Sequence, residues 1–142
     1  MSMKYLIGFF AIALAAFMPS SSVTFQDARG SADPNSNSIT LQWSTLTEDG
    51  VKDFVIQKAS QLNGQYSNIG TVSAKGAGTT YQYVDAGIYK TTSSTLFKYQ
   101  IVAQDISGNS IGSVQCLVEY TFSQSLSGVA QRTWGSIKAM FR

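Results

Sequence analysis

Residues 38–45 read SITLQWST, and the letters alternate without a fault. Ile39, Leu41 and Trp43 fall on one side, Thr40, Gln42 and Ser44 on the other. Successive side chains of an extended chain point to opposite faces, so a period of two predicts a strand with one face in a core and the other in water.

The same period recurs on both sides of this stretch. VTFQDARGSAD (23–33) places Val23 and Phe25 together and breaks at Gly30 and Asp33-Pro34. TEDG (47–50) reads as a turn, and DFVIQKAS (53–60) follows with Phe54 and Ile56 on the core side. Asn63-Gly64 is a hairpin signal, leading into a more polar strand, YSNIGTVSA (66–74). KGAGTT (75–80) reads as a flexible loop before YQYVD (81–85), which sets Tyr81 and Tyr83 on one side. LFKYQIVAQD (96–105) sends Phe97, Tyr99, Ile101 and Ala103 inward. After the turn at ISGNS, GSVQCLVEYTF (112–122) aligns Val114, Cys116, Val118, Tyr120 and Phe122. Short strands at regular spacing, with turn residues between them, predict an all-β sandwich of seven strands over residues 23–122.

Three pieces together, ITLQWSTLTEDGVKDFVIQK, YSNIGTVSAKGAGTTYQYVD and FKYQIVAQDISGNSI, resemble a fibronectin type III domain, an immunoglobulin-like β-sandwich. They are most similar to the variant that recurs in secreted, multidomain bacterial surface proteins. The matching features are Trp43 in the second strand, the Thr47-Glu48-Asp49 turn, and paired aromatics with Asp105-x-x-Gly108-Asn109 closing the sixth strand. The resemblance implies a fold and a binding or spacer role. One departure stands out: the family places a tyrosine at the corner opening its sixth strand, hydroxyl-bonded to backbone. Here Phe97 holds that position and Tyr99 lies two residues on, so the corner is held either by packing or by Tyr99.

Composition narrows the chemistry. Only 13% of the 142 residues are charged, and the formal net charge is +2, which gives no electrostatic footprint for nucleic acid. With no histidine in the chain, the commonest general base, the usual triads and the usual zinc ligand sets are all missing. A single cysteine, Cys116, leaves no internal disulfide, and its inward position predicts a buried, inert thiol. The sequence therefore predicts no enzyme, no cofactor and no metal.

The first 22 residues stand apart. Lys4 precedes an apolar run from Tyr5 to Met18, then Pro19 and serines. About 14 apolar residues make roughly 21 Å of helix, short of the ~30 Å hydrocarbon core, so a secretory signal fits better than an anchor. Small residues at alternate positions offer cuts after Ala15 or Ser22, and Ser22 is preferred because alternation resumes at Val23. The protein is therefore expected to be exported, as a secreted or cell-surface molecule.

Four side-chain groups bear on function. KGAGT (75–79) lacks the Gly-Lys-Ser/Thr ending of a phosphate loop, and DISGN (105–109) lacks the closing acid of a calcium loop, so both read as turns. Glu48, Asp49 and Asp53 cluster near one turn beside Lys52 and read as solvated or turn-bonded acids. Tyr66, Tyr81, Tyr83 and Tyr89 would favour carbohydrate if they formed an exposed row, whereas a sandwich core also uses tyrosines with their hydroxyls at the rim.

The chain ends differently from its body. In residues 123–142, Ala130, Trp134, Ile137 and Phe141 recur at helical spacing. Lys138 and Arg142 flank that stripe and Arg132 lies opposite. Gly135 and the short length make this helix marginal alone, so it needs a surface to form. Its own sandwich, a protein groove or a membrane face would serve, which makes Arg132, Trp134, Ile137, Lys138, Phe141 and Arg142 the candidate docking residues. The expected function is a non-catalytic module of adhesion or assembly through protein contacts, a filament subunit included, with a carbohydrate-binding module as the alternative. Membrane contact would run through residues 1–22 or the tail.

Overall fold

The computed structural model describes residues 20–59, 63–88 and 93–121. Within them the chain forms seven strands: β1 (Ser22–Asp33), β2 (Ser38–Asp49), β3 (Asp53–Ala59), β4 (Ser67–Ser73), β5 (Thr80–Asp85), β6 (Thr95–Gln104) and β7 (Ser110–Tyr120). They build two antiparallel sheets, one ordered β1-β2-β5 and the other β4-β3-β6-β7. Residues 1–19 of the expected signal segment 1–22, and the tail from residue 122 with all six candidate docking residues, lie outside the described residues.

The inward positions read from alternation become the core. Ile39, Leu41 and Trp43 of β2 face Phe54 and Ile56 of β3 and Tyr99, Ile101 and Ala103 of β6, all buried. Three aromatic rings weld the layers near one end. Trp43 stacks on Tyr81 at 5.4 Å, and Phe54 from the opposite sheet meets Trp43 edge-on at 5.8 Å and Tyr81 at 4.8 Å. Burying each large apolar side chain contributes about 1.5–3 kcal/mol, so this layer is the main source of stability.

Three local expectations change. Strand β1 does not break at Gly30 but runs to Asp33. Register shifts on both sides of Phe25 leave Gln26 unpaired, and this bulge flips the phase so that Ala28, Gly30 and Ala32 turn inward after Val23 and Phe25. TEDG is not a turn either. Thr47, Glu48 and Asp49 pair with Thr24, Val23 and Ser22, and the chain reverses only at Gly50, whose φ is +73°. Finally, Asn63-Gly64 lies between paired strands, but Lys58 opposite Ser67 shows that the connection is longer than a two-residue hairpin.

A second bulge couples the sheets. Ile69 of β4 is skipped in the pairing with β3, and Tyr83 of β5 reaches across to donate its hydroxyl to the Ile69 carbonyl at 2.7 Å. The phenol ring lies where a Cβ on Gly70 would sit, 2.4–2.6 Å from three ring and hydroxyl atoms. Gly70→Ala should therefore displace Tyr83 and cost about 1–3 kcal/mol as an overpacking change. Urea unfolding of this variant against Tyr83→Phe separates the steric part from the hydrogen bond, and an unchanged midpoint for Gly70→Ala would refute the contact.

Candidate functional site

Strands β3, β5 and β6 converge on a buried charge. Asp85 ends β5, only 8% exposed, and one carboxylate oxygen accepts from Lys58 Nζ at 2.7 Å and from the Tyr99 hydroxyl at 2.8 Å. Its other oxygen takes the Gly87 amide at 3.0 Å. Lys58 lies 4.7 Å over the Phe97 ring and 5.8 Å from Tyr99, so the ammonium is held by aromatic faces as well. Burial pushes the Asp85 carboxyl up, but the Lys58 and Tyr99 contacts, the Gly87 amide and the Lys58 charge outweigh it and hold the group below its ordinary value. The same burial, helped by Asp85, drives the Tyr99 phenol far above its ordinary value of 10. Such a phenol donates a hydrogen bond and does not ionise. The corner alternative is thereby decided: Tyr99 supplies the hydroxyl contact, to a carboxylate instead of backbone, while Phe97 packs edge-on against Tyr120 at 6.4 Å.

The opposite end is tied by Glu48. Its carboxylate accepts from Thr45, from the Tyr81 hydroxyl at 2.8 and 3.0 Å, and from the Gly76 amide at 2.9 Å. Tyr81 in turn accepts from the Lys75 amide at 2.7 Å, and Gly78 donates to the Thr45 carbonyl at 2.9 Å. The loop expected to be flexible is thus pinned along its length. Gly76 and Gly78 are needed there for φ values of +108° and +79°, which favour glycine. Burial, opposed by the Lys75 bond and reinforced by Glu48, raises the Tyr81 phenol.

The other acids of the expected cluster go elsewhere. Asp49 accepts from Ser22 at 3.2 Å, and Asp53 lies 3.8 Å from Lys52. Asp105 is likewise consumed, accepting the Ser107 and Asn109 amides at 2.9 Å and the Asn109 side chain at 3.3 Å. Those bonds, led by the Asn109 amide, lower its carboxyl and build the expected hairpin turn. Among the described residues no group of three or more potential metal ligands comes together. Cys116 is 8% exposed, and burial pushes its thiol up to about 11, away from nucleophilic thiolate character.

Among the described residues the tyrosines do not form an exposed row. Tyr81 is 2% exposed, Tyr83 turns inward onto Gly70, and Tyr66 is half-buried with Lys98 5.5 Å over its ring. Tyr89 lies outside the described residues.

The outer faces carry a feature that alternation alone does not reveal. On the three-stranded sheet, Arg29 donates twice to Gln42 Oε1, at 3.2 and 3.1 Å, and Gln42 donates to Gln82 at 3.3 Å. One polar row thus crosses every strand, along a shallow depression of about 380 Å³ also lined by Gly30, Ser31 and Thr40. On the four-stranded sheet the register sets Asn68, Gln57, Gln100 and Gln115 in one line, with Gln57 bonded to Asn68 at 2.9 Å. Each outward amide is visible in the sequence, but their alignment depends on register across strands far apart in the chain.

No protein-family description and no curated protein matches this chain. Among solved structures it is similar to a Fn3-like protein from Clostridium thermocellum, known from its crystal structure. The two share 18% identity over 71% of this chain and 94% of that one, with a TM-score of 0.51. The likeness shows the fold, a fibronectin III-like β-sandwich, as the three-on-four sheet order independently describes.

Proposed function

We propose that this protein is a non-catalytic binding and structural module, exported to the cell surface or beyond, that works through protein–protein contact in adhesion or assembly. The observation that carries the reading is the employment of its acids. Every one of the eight Asp and Glu residues has a donor or a cation within the fold. Asp85, Glu48, Asp49, Asp53 and Asp105 are engaged as above. Asp27 lies 3.8 Å from Arg29, Asp33 accepts from Ser36 at 2.8 Å, and Glu119 accepts from Ser94 at 2.8 Å. General acid–base work needs a carboxyl poised for a substrate, and these carboxyls are spent on turns, clips and pairs. The inward tyrosines remove the support that an exposed aromatic row would have lent to carbohydrate binding.

Export rests on the basic start and short apolar run of residues 1–22, and the tail supplies a docking stripe for a partner. Deleting residues 128–142 should leave the thermal transition of the sandwich in place and abolish cross-linking to partner proteins in the producing cells. Loss of the transition would assign the tail to the core, and undiminished cross-linking would move the contact elsewhere. Turnover of any substrate that disappears in Glu48→Gln would end the non-catalytic reading.

A further inference from the structure

A sandwich has open sheet edges, and an unprotected edge is a template for another strand. Among the described residues, three of the four edge strands are blunted. β1 is bulged around Phe25 and carries Asp27, Arg29 and Asp33. β4 is bulged at Ile69, whose carbonyl is taken by Tyr83. β7 is shifted opposite Ala103 and Gln104 and carries Glu119. β5 has none of these devices. Its six residues pair with β2 in one uninterrupted register, and its single charge, Asp85, is buried in the pair with Lys58. The side chains it sends to the outer face, Thr80, Gln82 and Val84, are uncharged and exposed, Val84 at 47%.

We infer that β5 is a self-pairing edge: two copies of this chain join antiparallel through β5, with Gln82 opposite Gln82, into one continuous six-stranded sheet. The strand is self-complementary about that residue. Thr80 falls opposite Val84 of the other copy, two β-branched side chains on one face, and Tyr81 falls opposite Tyr83 on the other. No like charges meet. The Arg29–Gln42–Gln82 row ends at this edge with Gln82 accepting, and among the described residues the Gln82 amide nitrogen has no acceptor. Across the two-fold axis that nitrogen meets the second Gln82, and the row continues to the far side of the joined sheet. Such an interface is isologous, and at one strand per copy it is small, so the dimer is a transient one.

This inference rests on the assembly reading and names the partner. The test is sedimentation equilibrium of the full chain over a wide concentration range, with Gln82→Lys, Val84→Lys and Gln82→Glu variants. All three changes are at exposed positions, and an unchanged thermal transition confirms that each still folds. The wild type should dimerise with concentration. Gln82→Lys, which sets two ammonium groups opposite each other, should weaken dimerisation about tenfold or more. Mixing Gln82→Lys with Gln82→Glu should restore it, a rescue that only direct opposition produces. A wild type that stays monomeric throughout overturns self-pairing while leaving contact with other proteins standing. Association that survives both Lys variants places the assembly contact away from β5 and overturns the inference as well.

Discussion

Asp85→Ala should lower the stability of the sandwich by about 3–5 kcal/mol, the cost of stranding one member of a buried ion pair. Lys58 is left with its side chain only 16% exposed and no counter-charge, and the buried Tyr99 hydroxyl loses its acceptor. Urea unfolding measures the effect. The same experiment on Lys58→Met with Asp85→Leu should recover most of the loss, because a buried pair replaced by apolar groups is often neutral. If the double variant is as unstable as the single one, the pair is worth more than its own desolvation. The pH dependence carries a sign. The folded-state Asp85 carboxyl is held below its ordinary value of 3.8, so its contribution is present above that value and lost as pH falls through the lower, folded one. Wild type should therefore lose stability more steeply on the acid side of 3.8 than Asp85→Asn does. Parallel acid limbs for the two proteins would remove Asp85 from that transition.

Glu48→Ala should cost about 2–4 kcal/mol, since the buried Tyr81 hydroxyl and the Gly76 amide both lose a charged acceptor. Glu48→Gln keeps an acceptor oxygen and should cost less. Hydrogen exchange distinguishes this from a general loosening: in Glu48→Ala the Gly76 amide should lose protection while amides of β6 keep theirs. Equal loss across the sheet would mean that Glu48 supports the whole core.

The fold was legible wherever a strand lies in the middle of a sheet. In β2, β3 and β6 the inward residues are buried and apolar, so the period of two survives in the letters. It failed along the edge strand β1 and at strand ends, while edge strands β5 and β7 kept the period. The Gln26 bulge shifts the phase of β1, and no single letter marks a bulge. Thr47-Glu48-Asp49 looks like a turn because its letters are polar, and the partners of Glu48, the Gly76 amide and the Tyr81 hydroxyl, lie some thirty residues away, which local composition cannot register. Gly-rich KGAGTT reads as loose because glycine permits freedom, yet here its φ > 0 positions let the loop donate to Glu48 and Thr45. The Lys58–Asp85 pair was invisible for a related reason: its members sit on different sheets, 27 residues apart. The candidate docking residues of the tail lie outside the described residues, and they rest on helical spacing alone.

Strand β1 starts beside Asp49, at the end closed by Gly50, whereas β7 finishes beside Thr95 with the Tyr120 hydroxyl on Asn37, at the other end. First and last strands therefore run the same way along the body, and chain enters and leaves roughly 35 Å apart at about 3.3 Å per residue. Whatever engages one end of the sandwich is thereby held a full strand length from whatever engages the other. Copies strung in series would lengthen such a chain rather than thicken it.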